Sequence, residues 1–177
     1  MKLITAIVTI IIFGATAIAT NIAHGDTTGE PPGNELFTKV ERPQLYCLAK
    51  NVYFEARSDN LAGRYAVADV VLNRVQDRRY PATICEVIHQ GEKDSTGNIK
   101  KNRCQFSWYC DGDPDIALNE EKWNEAQTVA YQIVTKGTFR GITEGANHYH
   151  ATYVDPSWNK RMEIVGRIGA HIFYRSS

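Results

Sequence analysis

Pro43-Gln44-Leu45-Tyr46-Cys47-Leu48-Ala49-Lys50-Asn51-Val52-Tyr53-Phe54-Glu55-Ala56-Arg57 decides how this chain is read. At a period of 3.6 residues, Leu45, Leu48, Ala49, Val52 and Ala56 fall on one stripe, which predicts an amphipathic helix over about Pro43 to Arg57. Glu55 lies at the edge of that stripe. A carboxyl half sunk among apolar side chains loses hydration, and this disfavours its charged form. Such a group can hold a proton near neutral pH, as general-acid chemistry requires. The competing reading is a surface Glu paired with Lys50 or Arg57.

Outward from that helix, Ser58-Asp59-Asn60 is a break that can cap a second helix over about Leu61 to Asp77. Val67, Val70, Val71 and Val75 share one face of it, with Ala66 and Leu72 flanking. Arg74 lies on or beside this face, either as a snorkelling surface residue or as the partly buried partner of a carboxylate. Asp59 stands one turn beyond Glu55, and reads either as a second catalytic carboxylate or as a helix terminator. Thr83 to Gln90 is a short apolar segment, helix or strand. Gly91 to Arg103 is polar, carries Lys93, Lys100, Lys101 and Arg103, and is expected to be a solvated loop. Glu120 to Lys136 predicts a helix with Trp123, Ala126, Ala130, Ile133 and Val134 on one face and Gly137 past its end. From Ala146 onward the pattern is strand-like. Helices first and a small sheet late predict an α+β fold, mainly helical with a small antiparallel sheet.

The chain has 177 residues and zero formal net charge. Such a balance gives no support to nucleic-acid binding. Met1-Lys2 followed by an uncharged Leu3 to Ala23 reads as a signal peptide, with Ala17-Ile18-Ala19 as its cleavage pattern; an uncleaved signal anchor is the alternative. The expected organisation is therefore residues 1–23 as signal or anchor, 24–43 as a flexible linker rich in Gly and Pro, and 44–177 as the working domain. Either signal reading puts that domain outside the cytoplasm, periplasmic or extracellular, with residues 3–23 as a transient membrane attachment in the anchored case.

Four cysteines, Cys47, Cys85, Cys104 and Cys110, are an even number that suits disulfides in an exported domain. Four allow three connectivities. Cys104 and Cys110 bracket a short loop and form a natural pair, and Cys47 with Cys85 would then tie the Glu55 helix to a later segment.

Two further groups of residues can carry chemistry. Cys104-Gln105-Phe106-Ser107-Trp108-Tyr109-Cys110 sets rings beside an amide and a hydroxyl. Rings stack on the apolar faces of sugars, while Gln and Ser read hydroxyl and acetamido groups. The plainer reading is a disulfide-closed loop whose rings fill the core. Asn147-His148-Tyr149-His150 puts two histidines at i and i+2, and with His171 they have the makings of a zinc site. No HExxH accompanies them, and aromatic strand packing is the favoured reading. Neither a metal nor another cofactor is called for.

Five blocks in order resemble the SleB-type cell-wall hydrolases, the family of the spore cortex-lytic enzymes. They are Asn51 to Arg57, Ala66-Val67-Ala68-Asp69-Val70-Val71-Leu72-Asn73-Arg74-Val75, Tyr80-Pro81-Ala82-Thr83-Ile84-Cys85, Cys104 to Trp108, and Ile168-Gly169-Ala170-His171-Ile172-Phe173-Tyr174. The resemblance spans about Leu45 to Arg175. It implies a lysozyme-like fold, peptidoglycan as substrate, and cleavage of the glycan strand between N-acetylmuramic acid and N-acetylglucosamine by a lytic transglycosylase, with Glu55 at the family's catalytic Glu. The family usually follows Ala-Arg with Gly-Glu, where this chain has Ser58-Asp59, and often has Thr where this chain has Asn147. No segment matches the separate peptidoglycan-binding domain of the spore enzymes, so a spore role is not carried over.

Glu55 is thus the expected acid, then base. Gln105, Phe106, Ser107, Trp108, Asn147, Tyr149 and His150 are expected to bind sugar, in a monomer. The alternatives are a hydrolytic muramidase, a zinc-dependent N-acetylmuramoyl-L-alanine amidase using His148, His150 and His171, and a non-catalytic cell-wall binding module.

Overall fold

The computed structural model describes residues 41–176. The expected signal and most of the expected linker lie outside the described residues. Among the described residues four α-helices and five strands follow in order: α1 (Glu41–Ala56), α2 (Leu61–Gln76), α3 (Ile84–Ile88), β1 (Gly91–Lys93), β2 (Ile99–Cys104), α4 (Glu120–Lys136), β3 (His148–Ala151), β4 (Glu163–Ile168) and β5 (His171–Arg175).

The predicted stripe of α1 is the centre of the core. Leu48, Ala49, Val52 and Ala56 are fully buried and Leu45 nearly so. Burying each larger apolar side chain is worth about 1.5–3 kcal/mol. The helix starts earlier than expected, so that Glu41, Arg42 and Pro43 are helical. It packs against α2, α3 and α4.

Asn60 caps α2, its side chain accepting from Gly63 N at 2.9 Å, a bond worth about 1 kcal/mol. Val67, Val70 and Val71 are buried, while Val75 is only half-buried. On another side of the helix, buried polar groups grip the approach to β3. The Asp69 carboxylate accepts from Gly141 N at 3.0 Å, Thr143 N at 3.1 Å and Thr143 Oγ1 at 2.6 Å, and pairs with Arg140. Asn73 donates to Ala146 O at 2.9 Å, and Arg74 Nε to Asn147 O at 2.8 Å. A helix edge that reads as polar sequence is thus a buried clamp, because unpaired backbone groups in this loop would be costly.

The short segment after Thr83 is helical, with Thr83 as its cap. α4 matches its predicted span and ends on Gly137 at φ 65°, a left-handed conformation glycine adopts without strain. Its buried face is Ala126, Val129, Ala130 and Ile133; Val134 is 40% exposed, a correction to its predicted place in the core.

The expected loop at 91–103 is a correction too: β1 and β2 form an antiparallel hairpin. Asp94 Oδ1 accepts from Thr96 N at 2.8 Å and Asn98 N at 3.0 Å, and Gly97 takes φ 88°, which closes the turn. Its strands are largely exposed, so no alternation marks them in sequence.

β3, β5 and β4 form an antiparallel sheet in that order, with Tyr149 opposite Phe173 and His150 opposite Ile172. Phe173 packs with Ala66, Val70 and Ala146 in a second small core between α2 and the sheet. The disulfides are Cys47–Cys85 and Cys104–Cys110.

Candidate active site

The last turn of α1, Arg74 of α2, the segment 104–108 and the sheet enclose a cleft of about 420 Å³, a size suited to small ligands or single sugar rings. Glu55 is the one carboxylic acid among its described lining residues. Tyr149 reaches it from β3, its hydroxyl donating to Oε2 at 3.1 Å. Burial raises the Glu55 pKa above the ordinary carboxyl value, opposed by the Tyr149 hydrogen bond and the positive charge of Arg74. Tyr149 is half-buried, and its pKa is pushed well above the ordinary phenol value by desolvation and the neighbouring Glu55, so it stays a neutral donor.

Arg74 is buried rather than snorkelling, with Glu55 near enough for their charges to act on each other. It lies over the Phe106 and Tyr80 rings, 5.2 and 5.4 Å from their centroids, while Nε holds the carbonyl of Asn147. Its Nη1 is buried without a hydrogen-bond partner.

The 104–108 segment divides on alternate residues. Phe106 and Trp108 are buried, whereas Gln105 and Ser107 stay exposed on the cleft wall. Trp108 stacks on Phe54 with ring centroids 4.8 Å apart. Its Nε1 donates to Asn51 Oδ1 at 3.1 Å. The Cys104–Cys110 bridge closes this segment at its base.

Of the sugar-binding candidates, Gln105, Phe106, Ser107, Trp108, Tyr149 and His150 all line the cleft. Asn147 does not. It lies just before β3, where its Oδ1 accepts from Ser176 N at 3.0 Å and so ties the residue after β5 to the start of β3. Phe54, Arg74, His171, Tyr153 and Val154 join the lining without having been singled out as sugar binders. Tyr153 and Val154 form the rim, 88% and 43% exposed. An apolar pair left in water at a cleft mouth is a signal only the folded chain displays.

Asp59 stands outside the cleft lining. Its carboxylate accepts from Ala170 N at 3.0 Å and from His171 Nδ1 at 3.1 Å, holding the β4–β5 turn. A Cβ at Gly63 or Gly169 would collide with this carboxylate. The three histidines considered as zinc ligands have other partners. His150 Nδ1 meets Ala151 O at 2.9 Å and Nε2 meets Tyr174 OH at 2.8 Å. His171 is held by Asp59, and His148 Nδ1 lies 2.8 Å from Asn147 Oδ1. Among the described residues no three His, Cys, Asp or Glu side chains gather as a metal-holding group.

A family model described as cell wall hydrolase matches residues 58–174. Two solved structures share the fold. One is the catalytic domain of the germination-specific lytic transglycosylase SleB from Bacillus anthracis, 25% identical with a TM-score of 0.58, covering 82% of this chain and 100% of that one. The other is the catalytic domain of the Bacillus cereus SleB protein, 24% identical with a TM-score of 0.55, covering 85% and 99%. No curated protein matches.

Proposed function

The chain belongs to the SleB-type cell wall hydrolase family, and we propose on that premise that its cleft cuts peptidoglycan glycan strands between N-acetylmuramic acid and N-acetylglucosamine as a lytic transglycosylase. The matched family range opens after Glu55, so the role of Glu55 is argued from geometry. The carrying observation is that one carboxyl, with a raised pKa, serves the whole cleft.

Neutral Glu55 gives its proton to the glycosidic oxygen as the bond from muramic C1 breaks, and positive charge develops at C1 and the ring oxygen. The C6 hydroxyl of the same sugar closes on C1. The Glu55 carboxylate takes the hydroxyl proton, which restores the acid and leaves a 1,6-anhydro end. No water enters the bond-making step. Arg74 and Tyr149 stabilise the carboxylate between the two transfers. Gln105 and Ser107 present the polar groups for acetamido and hydroxyl oxygens, and Tyr153 offers an exposed ring at the rim.

A hydrolytic muramidase acting through two carboxyls needs the second near the scissile bond. Asp59, the candidate by sequence, is occupied by Ala170 and His171. The test is mass spectrometry of digested peptidoglycan. Muropeptide ends lighter by one water support the transglycosylase, and fully hydrated ends overturn it in favour of hydrolysis. Release of stem peptide with intact glycan would mark the amidase alternative.

The same proposal has the domain working outside the cytoplasm. Residues 1–23 are proposed as its export signal, and the catalytic domain as the part from α1 onward.

A further inference from the structure

Asp59 and His171 form a pair whose hydrogen-bond directions are set by the groups around them. The Asp59 carboxylate accepts from Asn60 N at 2.8 Å and from Ala170 N at 3.0 Å. It meets His171 Nδ1 at 3.1 Å as an acceptor too, so Nδ1 carries a proton. The carboxylate fills the space that side chains at Gly63 and Gly169 would need, which holds it in this pose. His171 is 7% exposed, and burial keeps its pKa below the ordinary value against the pull of Asp59. The ring is then neutral at neutral pH, with a lone pair on Nε2. Among the described residues Nε2 makes no hydrogen bond. Nor is it one of the side-chain atoms sealed from solvent without a partner, which are Asn51 Nδ2, Arg74 Nη1 and Gln90 Oε1. Nε2 is therefore open, and the surface to which His171 contributes is the cleft wall, with Ala151 opposite it on β3.

We propose that His171, its tautomer fixed by Asp59, presents Nε2 to the cleft as the acceptor for a hydroxyl of the bound glycan strand, and so positions the sugar against Glu55. The inference rests on reading the cleft as a glycan site. The imidazole stands edge-on to the Tyr149 ring, with centroids 5.2 Å apart, and the Tyr149 hydroxyl reaches Glu55 Oε2 at 3.1 Å. The acceptor and the acid thus flank one ring. A lone pair takes a hydroxyl, which can donate, and turns away an acetamido carbonyl, which cannot. The other polar groups of the wall do not make this choice: the Arg74 guanidinium only donates, while Gln105 and Ser107 both donate and accept. Asp59 acts from outside the cleft, as a positioning residue working through His171, and no proton passes to it.

The first experiment reads the ring by nitrogen NMR, in isotope-labelled Glu55→Gln so that the strand is not cut. His171 should show a protonated Nδ1 and a bare Nε2. The Nε2 resonance should move toward the protonated range when soluble glycan-strand fragments saturate the cleft. A proton on Nε2 in the resting protein would overturn the proposal, as would an Nε2 signal that ignores fragments whose binding other resonances report. The second experiment is a double-mutant cycle on purified peptidoglycan. His171→Phe keeps a ring beside Tyr149 and loses the acceptor; it should lower kcat/KM about three- to tenfold, the scale of one neutral hydrogen bond. Asp59→Asn keeps an oxygen for Ala170 N but offers an N–H to Nδ1, which moves the ring proton to Nε2 and reverses its sense. It should lose about as much, and little more when combined with His171→Phe. Parental kcat/KM in folded Asp59→Asn, or equal losses in both backgrounds, would mean that the pair only braces the turn, and would overturn the proposal. Should His171→Phe fail to fold, the Nε2 resonance and Asp59→Asn decide. Fragments that do not bind the cleft, or activity retained in Glu55→Gln, would overturn the underlying reading of the site instead.

Discussion

The Tyr149 hydroxyl donates to Glu55 Oε2 across 94 residues of chain, at 3.1 Å. One partner stands in the last turn of α1 and the other on the edge strand β3, so the contact exists only when the helical part and the sheet are both in place. The cleft is therefore a product of the whole fold rather than of one motif. Removing the hydroxyl tests this dependence. Tyr149→Phe is expected to lower kcat by about tenfold or more, the scale of one hydrogen bond to a charged group. Because that bond lowers the Glu55 pKa, its loss should also move the alkaline limb of the pH–activity profile upward. A limb that stays put, or moves down, would contradict the electrostatic account.

Glu55→Gln keeps the shape of the side chain and removes its proton. Glycan cleavage should fall by about 10²–10⁴-fold, the range for losing a general acid. Circular dichroism should be unchanged. Clearing of peptidoglycan at the parental rate would end the claim for Glu55.

Stability should register the same carboxyl. The folded chain holds the Glu55 proton to higher pH than the unfolded chain, whose carboxyl has its ordinary value of 4.5. Above that value the unfolded chain binds fewer protons, so stability falls as pH rises until the raised folded pKa is passed. Glu55→Gln is free of this cost. Its Tm should match the parent near pH 4 and exceed it increasingly toward neutral pH. A parent that gains on the variant as pH rises would show that Glu55 is stabilised as a carboxylate instead.

Asp59 gives the complementary case. Asp59→Ala leaves Ala170 N to water in place of its acceptor, at a cost of about 0.5–1.5 kcal/mol, and frees His171. Thermal melting should therefore shift down clearly, while cleavage by the folded variant falls far less than in Glu55→Gln. A loss of kcat as deep as that of Glu55→Gln, with an unchanged melt, would restore Asp59 as a catalytic base.

What was legible in sequence follows periodicity and capping. The stripe of α1 and the span of α4 could be read because burial on one face writes a 3.6-residue pattern, and Gly137 marks where it stops. The β1–β2 hairpin could not, since it buries neither face and leaves no alternation to detect. Within the site, Glu55 and the Gln105–Trp108 wall were visible as residue types suited to sugar chemistry. Asn51 was not, because an amide beside an apolar stripe looks the same whether it faces water or Trp108. Asp59 was ambiguous for a related reason: its partners lie 111 and 112 residues away, and only the β4–β5 turn reveals them. Asn147 looked like a cleft residue by its neighbours, yet the strand end turns its side chain to Ser176.

The two disulfides should separate stability from activity. Cys47–Cys85 spans 38 residues and staples α1 to α3. Cross-links of this kind stabilise by about 2–4 kcal/mol, chiefly by restricting the unfolded chain. Its removal as Cys47→Ala with Cys85→Ala should lower the melting temperature while leaving kcat of the folded enzyme near the parent, since neither residue lines the cleft. Cys104–Cys110 spans only 6 residues, so its entropic gain is smaller. Between its ends, however, lie Gln105, Phe106, Ser107 and Trp108, and Cys104 itself is a lining residue. Its removal as Cys104→Ser with Cys110→Ser should relax the wall that carries the sugar-facing groups, raising KM and lowering kcat more than it lowers the melting temperature. Melting curves and steady-state kinetics on the two double variants decide the matter. The same ranking of the pair in both measurements would mean that the short bridge serves only as a second staple.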